Sequence, residues 1–176
     1  METRKGLIIV NTGDGKGKTT AAFGLGLRAW GHGLNVVVIQ FIKGNGQSGE
    51  LLGADKMDEN FVVLQMGKGF VVDGDTNRIS HRQAAEEALR LAKEESIKDN
   101  WDVMILDEIN CAIELGLLRL EEVFDLLAKK RPLLHIVLTG RNAMPALIDR
   151  ADMVTEMKEI KHPYKTGVSA QLGIEF

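Results

Sequence analysis

Gly13-Asp14-Gly15-Lys16-Gly17-Lys18-Thr19-Thr20 is the stretch whose reading decides the fold. It follows an apolar run, Leu7-Ile8-Ile9-Val10, and opens a segment of helical character from Ala21 to Trp30. A strand, a glycine-rich turn and a helix in that order make a phosphate-binding loop. The glycines let successive backbone N–H groups turn inward, and the helix N-terminus adds partial positive charge, so a polyphosphate meets ready donors. Lys18 would bring a full charge to the outer phosphates, and the Thr19 hydroxyl would stand where a magnesium ion binds.

The spacing departs from the usual one at a single place. The pattern is Gly, four residues, then Gly-Lys-Ser/Thr. Counted back from Gly17, Thr12 occupies the position of the first glycine. Gly13 and Gly15 can still supply the turn, so phosphate binding is expected and an altered geometry of the bound nucleotide with it. The bland alternative is a glycine-rich turn with its lysines in solvent. The flanking strand and helix argue against it.

Outward from the loop, apolar runs alternate with helical stretches. Asn35 to Phe41 is a continuous apolar strand of the kind buried on both faces of a parallel sheet. Phe61–Gln65 is a third strand, followed by a helix from about Ile79 to Lys98. Val103–Leu106 is a fourth, ending at Asp107-Glu108. Leu120–Lys130 reads as an amphipathic helix stopped by Pro132, and His135–Thr139 as the fifth strand. Pro145 can start a short helix to Arg150, before a sixth strand around Met153–Met157. Such alternation predicts an α/β fold, a mainly parallel sheet with helices on both faces joined by right-handed crossovers. No linker or repeat interrupts it, so residues 1–176 are expected to form one domain.

Charge and composition narrow the function classes. A formal net charge of -3 over 176 residues argues against a dedicated nucleic-acid binder, which normally shows a basic face. No apolar run reaches membrane-spanning length, and the N-terminal residues lead straight into a strand rather than a signal-peptide core. One cysteine, Cys111, excludes an internal disulfide framework and fits a reducing compartment. A cytoplasmic globular domain is expected.

Ligands of open parallel sheets bind at the carboxyl ends of the strands, where the remaining candidates lie. Asp107-Glu108 is the expected acidic partner of the loop, one carboxylate holding magnesium together with Thr19. A glutamate there can equally serve as a general base for water, and spacing does not separate the two roles. Arg141, after Thr139-Gly140, is placed to clamp a terminal phosphate, or simply to pair with a neighbouring acid. The segment Lys43 to Glu50 reads as a glycine-rich loop, either mobile or approached closely by a ligand. Phe70, beside Gly67 and Gly69, is either tucked into the core or offered to a large apolar ligand. His32, His81, His135 and His162 show no metal-ligand spacing, and Cys111 reads as a small buried residue without a base.

Together these segments resemble the bacterial ATP:corrinoid adenosyltransferases of the class that carries a phosphate loop. The resemblance rests on Thr12 to Gly24, on Gln40-Phe41-Ile42-Lys43-Gly44, on Leu106-Asp107-Glu108 and on Thr139-Gly140-Arg141. It continues through Lys161-His162-Pro163-Tyr164 and Gly167-Val168 to Ala170-Gln171-Leu172-Gly173-Ile174-Glu175-Phe176. The loop is generic, whereas the tail combined with the Gln-Phe-Ile-Lys-Gly strand end is specific. The resemblance implies a P-loop NTPase (RecA-like) domain acting as a homodimer on ATP and a cobalt corrinoid, with electrons supplied by a flavoprotein reductase. It implies transfer of the 5′-deoxyadenosyl group to reduced cobalt with release of the whole triphosphate, ATP lying reversed in the loop.

By the same resemblance, Lys18, Phe70 and Glu108 are the catalytic residues. Thr12, Gly13, Asp14, Gly15, Lys16, Gly17, Lys18, Thr19, Thr20 and Arg141 hold ATP, and Thr19, Glu108 and Asp107 hold Mg2+. Phe70 would displace the lower axial ligand of cobalt. Two departures stand out. Val72 replaces the family's tryptophan and fills less space under the corrin, and few residues precede the first strand where some members carry a covering N-terminal extension. Two other classes compete with this reading, a conventional phosphate-loop NTPase or kinase with Glu108 as base, and a nucleotide-gated corrinoid carrier without turnover.

Overall fold

Alternating apolar runs need both faces of a sheet covered, and the chain folds accordingly. The protein is seen in a computed structural model that describes residues 4–44, 46, 48–69 and 77–175; Phe70 and Val72 lie outside the described residues. In chain order the elements are β1 (Ile8–Thr12), α1 (Lys18–Trp30), β2 (Val36–Gln40), α2 (Gly49–Ala54), β3 (Phe61–Gln65) and α3 (Arg78–Ser96). They continue with β4 (Val103–Asp107), α4 (Ile109–Glu114), α5 (Leu120–Lys129), β5 (His135–Thr139), α6 (Pro145–Ile148) and β6 (Met153–Glu156). A 3-10 turn, Pro163–Thr166, interrupts the tail.

The strands form one sheet in the order β3-β2-β4-β5-β1-β6. Every pairing is parallel. β5 therefore lies between β1, which carries the phosphate loop, and β4, which carries Asp107. The carboxyl ends of β1, β2, β4 and β5 converge on one edge of the sheet, and that convergence builds the site.

Side chains alternate between two apolar layers with the period of a strand. Val37, Ile39, Met104, Leu106, Ile136 and Leu138 face the layer closed by α3, α4 and α5 through Ala88, Leu89, Ile109, Val123 and Leu126. Val36, Val38, Val103, Ile105 and Val137 face the layer closed by α1 and α2 through Ala22, Ala29 and Ala54. The amphipathic helix expected from Leu120 is α5, which buries Val123, Leu126 and Leu127. β6 closes the edge with all four residues exposed.

Local signals explain where element boundaries differ from those read off the sequence. α1 begins at Lys18 rather than Ala21, because Gly17 adopts φ 108 and turns the chain directly into the helix. Lys43 to Glu50 is not wholly loop. Ser48 caps α2, its hydroxyl oxygen accepting from the Leu51 N–H at 3.3 Å. α4, unforeseen, starts immediately after Glu108, whose φ of 64 gives the sharp exit from β4. Among the described residues no helix is long and apolar enough to cross a membrane.

Burial differs most between the middle and the edge of the sheet, so truncations there should part widely. Leu106→Ala, at a fully buried position, should cost about 2–5 kcal/mol in urea unfolding. Val154→Ala on exposed β6 should cost under ~1 kcal/mol. Comparable losses at the two positions would contradict the layering.

Candidate active site

The phosphate loop takes its shape from two glycines with positive φ, Gly13 at 95 and Gly17 at 108. Thr12, standing where the motif has its first glycine, does not need that conformation. It ends β1 as an ordinary strand residue, and the turn falls one residue later, at Gly13. The Thr12 hydroxyl oxygen accepts from the Ala143 N–H at 3.1 Å, tying the loop to the segment after β5. Glycine could not make that bond.

Inside the loop, Lys18 is buried and its ammonium donates to the carbonyls of Gly13 and Gly15, both at 2.7 Å. Burial is the main reason its pKa falls below the usual lysine value, and the Arg141 charge adds to the fall while Glu108 opposes it. The ammonium is thus held at the centre of the turn by the loop's own carbonyls. Asp14, Lys16 and Thr20 are exposed, and the Lys16 ammonium donates to Glu175 Oε2 at 2.6 Å.

Asp107 is the polar centre of the strand ends, with no exposed surface. Its Oδ1 accepts from the Thr19 hydroxyl at 2.7 Å and from the Thr139 hydroxyl at 2.8 Å. Its Oδ2 accepts from Gln40 Nε2 at 2.9 Å and lies 3.8 Å from the Lys43 ammonium. One carboxylate therefore gathers α1, β5, β2 and the loop after β2. The sequence singled out Thr19 and Asp107, whereas Gln40, Lys43 and Thr139 figured only within longer motifs. Their common position, the carboxyl ends of adjacent strands, was the signal available.

Glu108 follows on the rim, half-buried. Its backbone N–H donates to the Thr139 hydroxyl oxygen at 2.9 Å, and its carboxylate accepts from the Cys111 thiol at 2.8 Å. Cys111 thus has a carboxylate acceptor, whose negative charge disfavours the thiolate. Burial, then the Glu108 charge, push its thiol up to about 12. A thiol so held is no nucleophile at neutral pH. Gly140, with φ 129, passes so close to α4 that a Cβ would sit 2.9 Å from the Asn110 Cβ. That approach puts Arg141 on the rim, exposed, where it lines a cleft of about 590 Å³ with Asp14, Glu156, Lys158, Glu159 and Lys165.

Of the residues expected at the site, the structure brings Lys18, Thr19, Asp107 and Glu108 together around the loop, with Arg141 at its edge. Phe70 lies outside the described residues. Among the described residues no group of three or more His, Cys, Asp or Glu side chains is arranged to hold a metal by itself.

Known proteins carry the same pattern over the whole length. The family described as ATP:corrinoid adenosyltransferase BtuR/CobO/CobP matches residues 4–176. A corrinoid adenosyltransferase of Sinorhizobium sp. is 42% identical over 98% of this chain and 81% of its own. That of Escherichia coli K12 is 39% identical over 99% of this chain and 88% of its own. One from Pseudomonas aeruginosa is 38% identical, covering 98% and 84% respectively.

The environment of Cys111 can be tested directly. The native thiol holds its proton to about 12, whereas an unfolded one releases it near ~8.5. This group therefore takes stability away as pH rises through that window. Iodoacetamide at pH ~8.5 should label the native chain at least ~10-fold more slowly than the urea-unfolded chain. Equal rates would show that the thiol is neither buried nor held by Glu108.

Proposed function

The chain belongs to the ATP:corrinoid adenosyltransferase family, and from that membership we propose that it adenosylates reduced corrinoids as one domain spanning residues 1–176. It transfers the 5′-deoxyadenosyl group of ATP to the cobalt of a cob(I)alamin or related corrinoid, the step that makes adenosylcobalamin. The cobalt(I) electron pair forms the cobalt–carbon bond, the C5′–O5′ bond breaks, and its electrons leave on the triphosphate oxygen. The observation that carries this reading is the phosphate cradle, with Lys18 held at its centre, in a chain that the family matches over residues 4–176.

Because the substrate metal is itself the nucleophile, the protein need supply no attacking side chain. Its residues hold carbon and cobalt in line and stabilise negative charge on the departing triphosphate. Amides of the loop other than that of Gly15, which donates to the Met157 carbonyl, and the Lys18 ammonium take the phosphates, and Arg141 meets them from the rim. Thr19 and Asp107 present hard oxygen atoms 2.7 Å apart, with the Glu108 carboxylate following, a donor set that suits magnesium. Mg2+ held by Thr19, Asp107 and Glu108 would neutralise charge on the phosphate oxygens. Phe70 is assigned to displacement of the lower axial cobalt ligand, a task for which Val72 offers less bulk than tryptophan.

A hydrolytic reading would need Glu108 free to take a proton from water. Its carboxylate accepts from Cys111 through Oε2, and it is the family membership that favours a role as magnesium ligand. The enzyme is further expected to act as a cytoplasmic homodimer that receives electrons from a flavoprotein reductase.

Incubation with ATP, magnesium and chemically reduced cobalamin should yield adenosylcobalamin and triphosphate in equal amounts, by chromatography. Orthophosphate without a cobalt–carbon bond would refute the reading. Lys18→Ala should lower turnover by about 10²–10³-fold while corrinoid binding persists, and parallel loss of both would remove Lys18 from the triphosphate. Phe70→Ala should slow the reaction that starts from cobalt(II) far more than the one that starts from cobalt(I). Equal slowing would exclude a role confined to ligand displacement.

A further inference from the structure

The segment after β6 returns twice to the phosphate loop. At its start, the Gly15 N–H donates to the Met157 carbonyl at 2.7 Å, and the Met157 N–H donates to the Thr12 carbonyl at 2.8 Å. The contact is so close that a Cβ on Gly15 would lie 2.7 Å from the Met157 oxygen. At its far end, Glu175 Oε2 lies 2.6 Å from the Lys16 ammonium. The Glu175 side chain is 12% exposed and that of Lys16 52%. Between these anchors Ile160, Tyr164, Leu172 and Ile174 are all more than three-quarters exposed. The cleft beside the loop has Lys158, Glu159 and Lys165 of this same segment as one wall.

The two anchors differ in kind. The first is backbone pairing that continues the β1–β6 register and needs no charge. The second is a single ion pair on a residue of the phosphate loop. With its lysine half-exposed, a pair of that sort contributes little and yields to a competing anion. A triphosphate carries several negative charges and is drawn to the same loop, whose amides and Lys18 already favour it.

We propose that the tail is a latch on the phosphate loop, in which Glu175 and the triphosphate compete for Lys16. This rests on the adenosyl-transfer reading for its purpose, though not for its physics. Binding of ATP displaces Glu175 and frees the distal tail. The reaction then leaves the whole triphosphate in a cradle built to hold it, a product that departs slowly from the same donors. Return of Glu175 to Lys16 offsets part of the interaction the product must lose, so Glu175 acts in product release. Continuous anchorage at Met157 keeps the carboxylate at high local concentration throughout.

Titration calorimetry with magnesium and inorganic triphosphate tests the competition without any corrinoid. Glu175→Gln should bind triphosphate about two- to fivefold tighter than the natural chain, the scale of an exposed ion pair. Hydrogen exchange of residues 168–175 should rise when triphosphate is added to the natural chain, and should already be raised in Glu175→Gln without it. In turnover the variant should show a wider gap between its first-turnover and steady-state rates. Unchanged triphosphate affinity in the variant, or a tail whose exchange ignores triphosphate, overturns the latch. Tail release by triphosphate in a protein that never adenosylates cobalamin refutes the proposed activity and leaves the latch standing.

Discussion

A buried carboxylate constrains this molecule more than any other group. Asp107 has no exposed surface, and an ion so placed is costly unless its oxygens are satisfied. Thr19, Thr139 and Gln40 hydrogen-bond to it, and Lys43 supplies the cation. Those four residues belong to α1, β5, β2 and the loop after β2. Satisfying one charge therefore fixes the start of the phosphate-loop helix against three strand ends. The strand order follows the same demand, since β4 must sit beside both β2 and β5 for its last residue to reach Gln40 and Thr139.

The phosphate loop is likewise tied down at several points. Gly13 and Gly17 make turns that few other residues tolerate, Thr12 bonds to Ala143, and the Lys18 ammonium closes the loop on its own carbonyls. On the proposed function, a triphosphate entering this loop would replace the carbonyls as the partner of Lys18. Such preorganisation suits stabilisation of a leaving group, where charge appears late and must find donors in place. Glu108 is bonded to Cys111 and set at the turn into α4.

Much of this was legible in the sequence, because its strongest signals are local. The apolar runs at Val36–Gln40 and His135–Thr139 are buried strands, and the loop glycines mark the turn they make. The placement of Asp107 beside Thr19 followed from motif spacing. What escaped depends on contacts distant in sequence. α4 holds through Ile109, Ala112 and Ile113 packing under the sheet, and nothing in six residues announces that. Gln40 gains its role from a partner 67 residues away, and Glu175 from one 159 residues away. The positive φ of Glu108, rare for a residue with a side chain, has no signature in the sequence.

If the loop serves as a holder for a departing triphosphate, the bond broken lies between carbon and oxygen, not between oxygen and phosphorus. ATP carrying 18O at the bridge between C5′ and the α-phosphorus reports that directly, with reduced cobalamin as acceptor and mass spectrometry of the products. All of the label should leave with intact triphosphate, and the adenosyl group on cobalt should carry none. Label retained on adenosine, or recovered in ADP with orthophosphate, would contradict the assignment of this site.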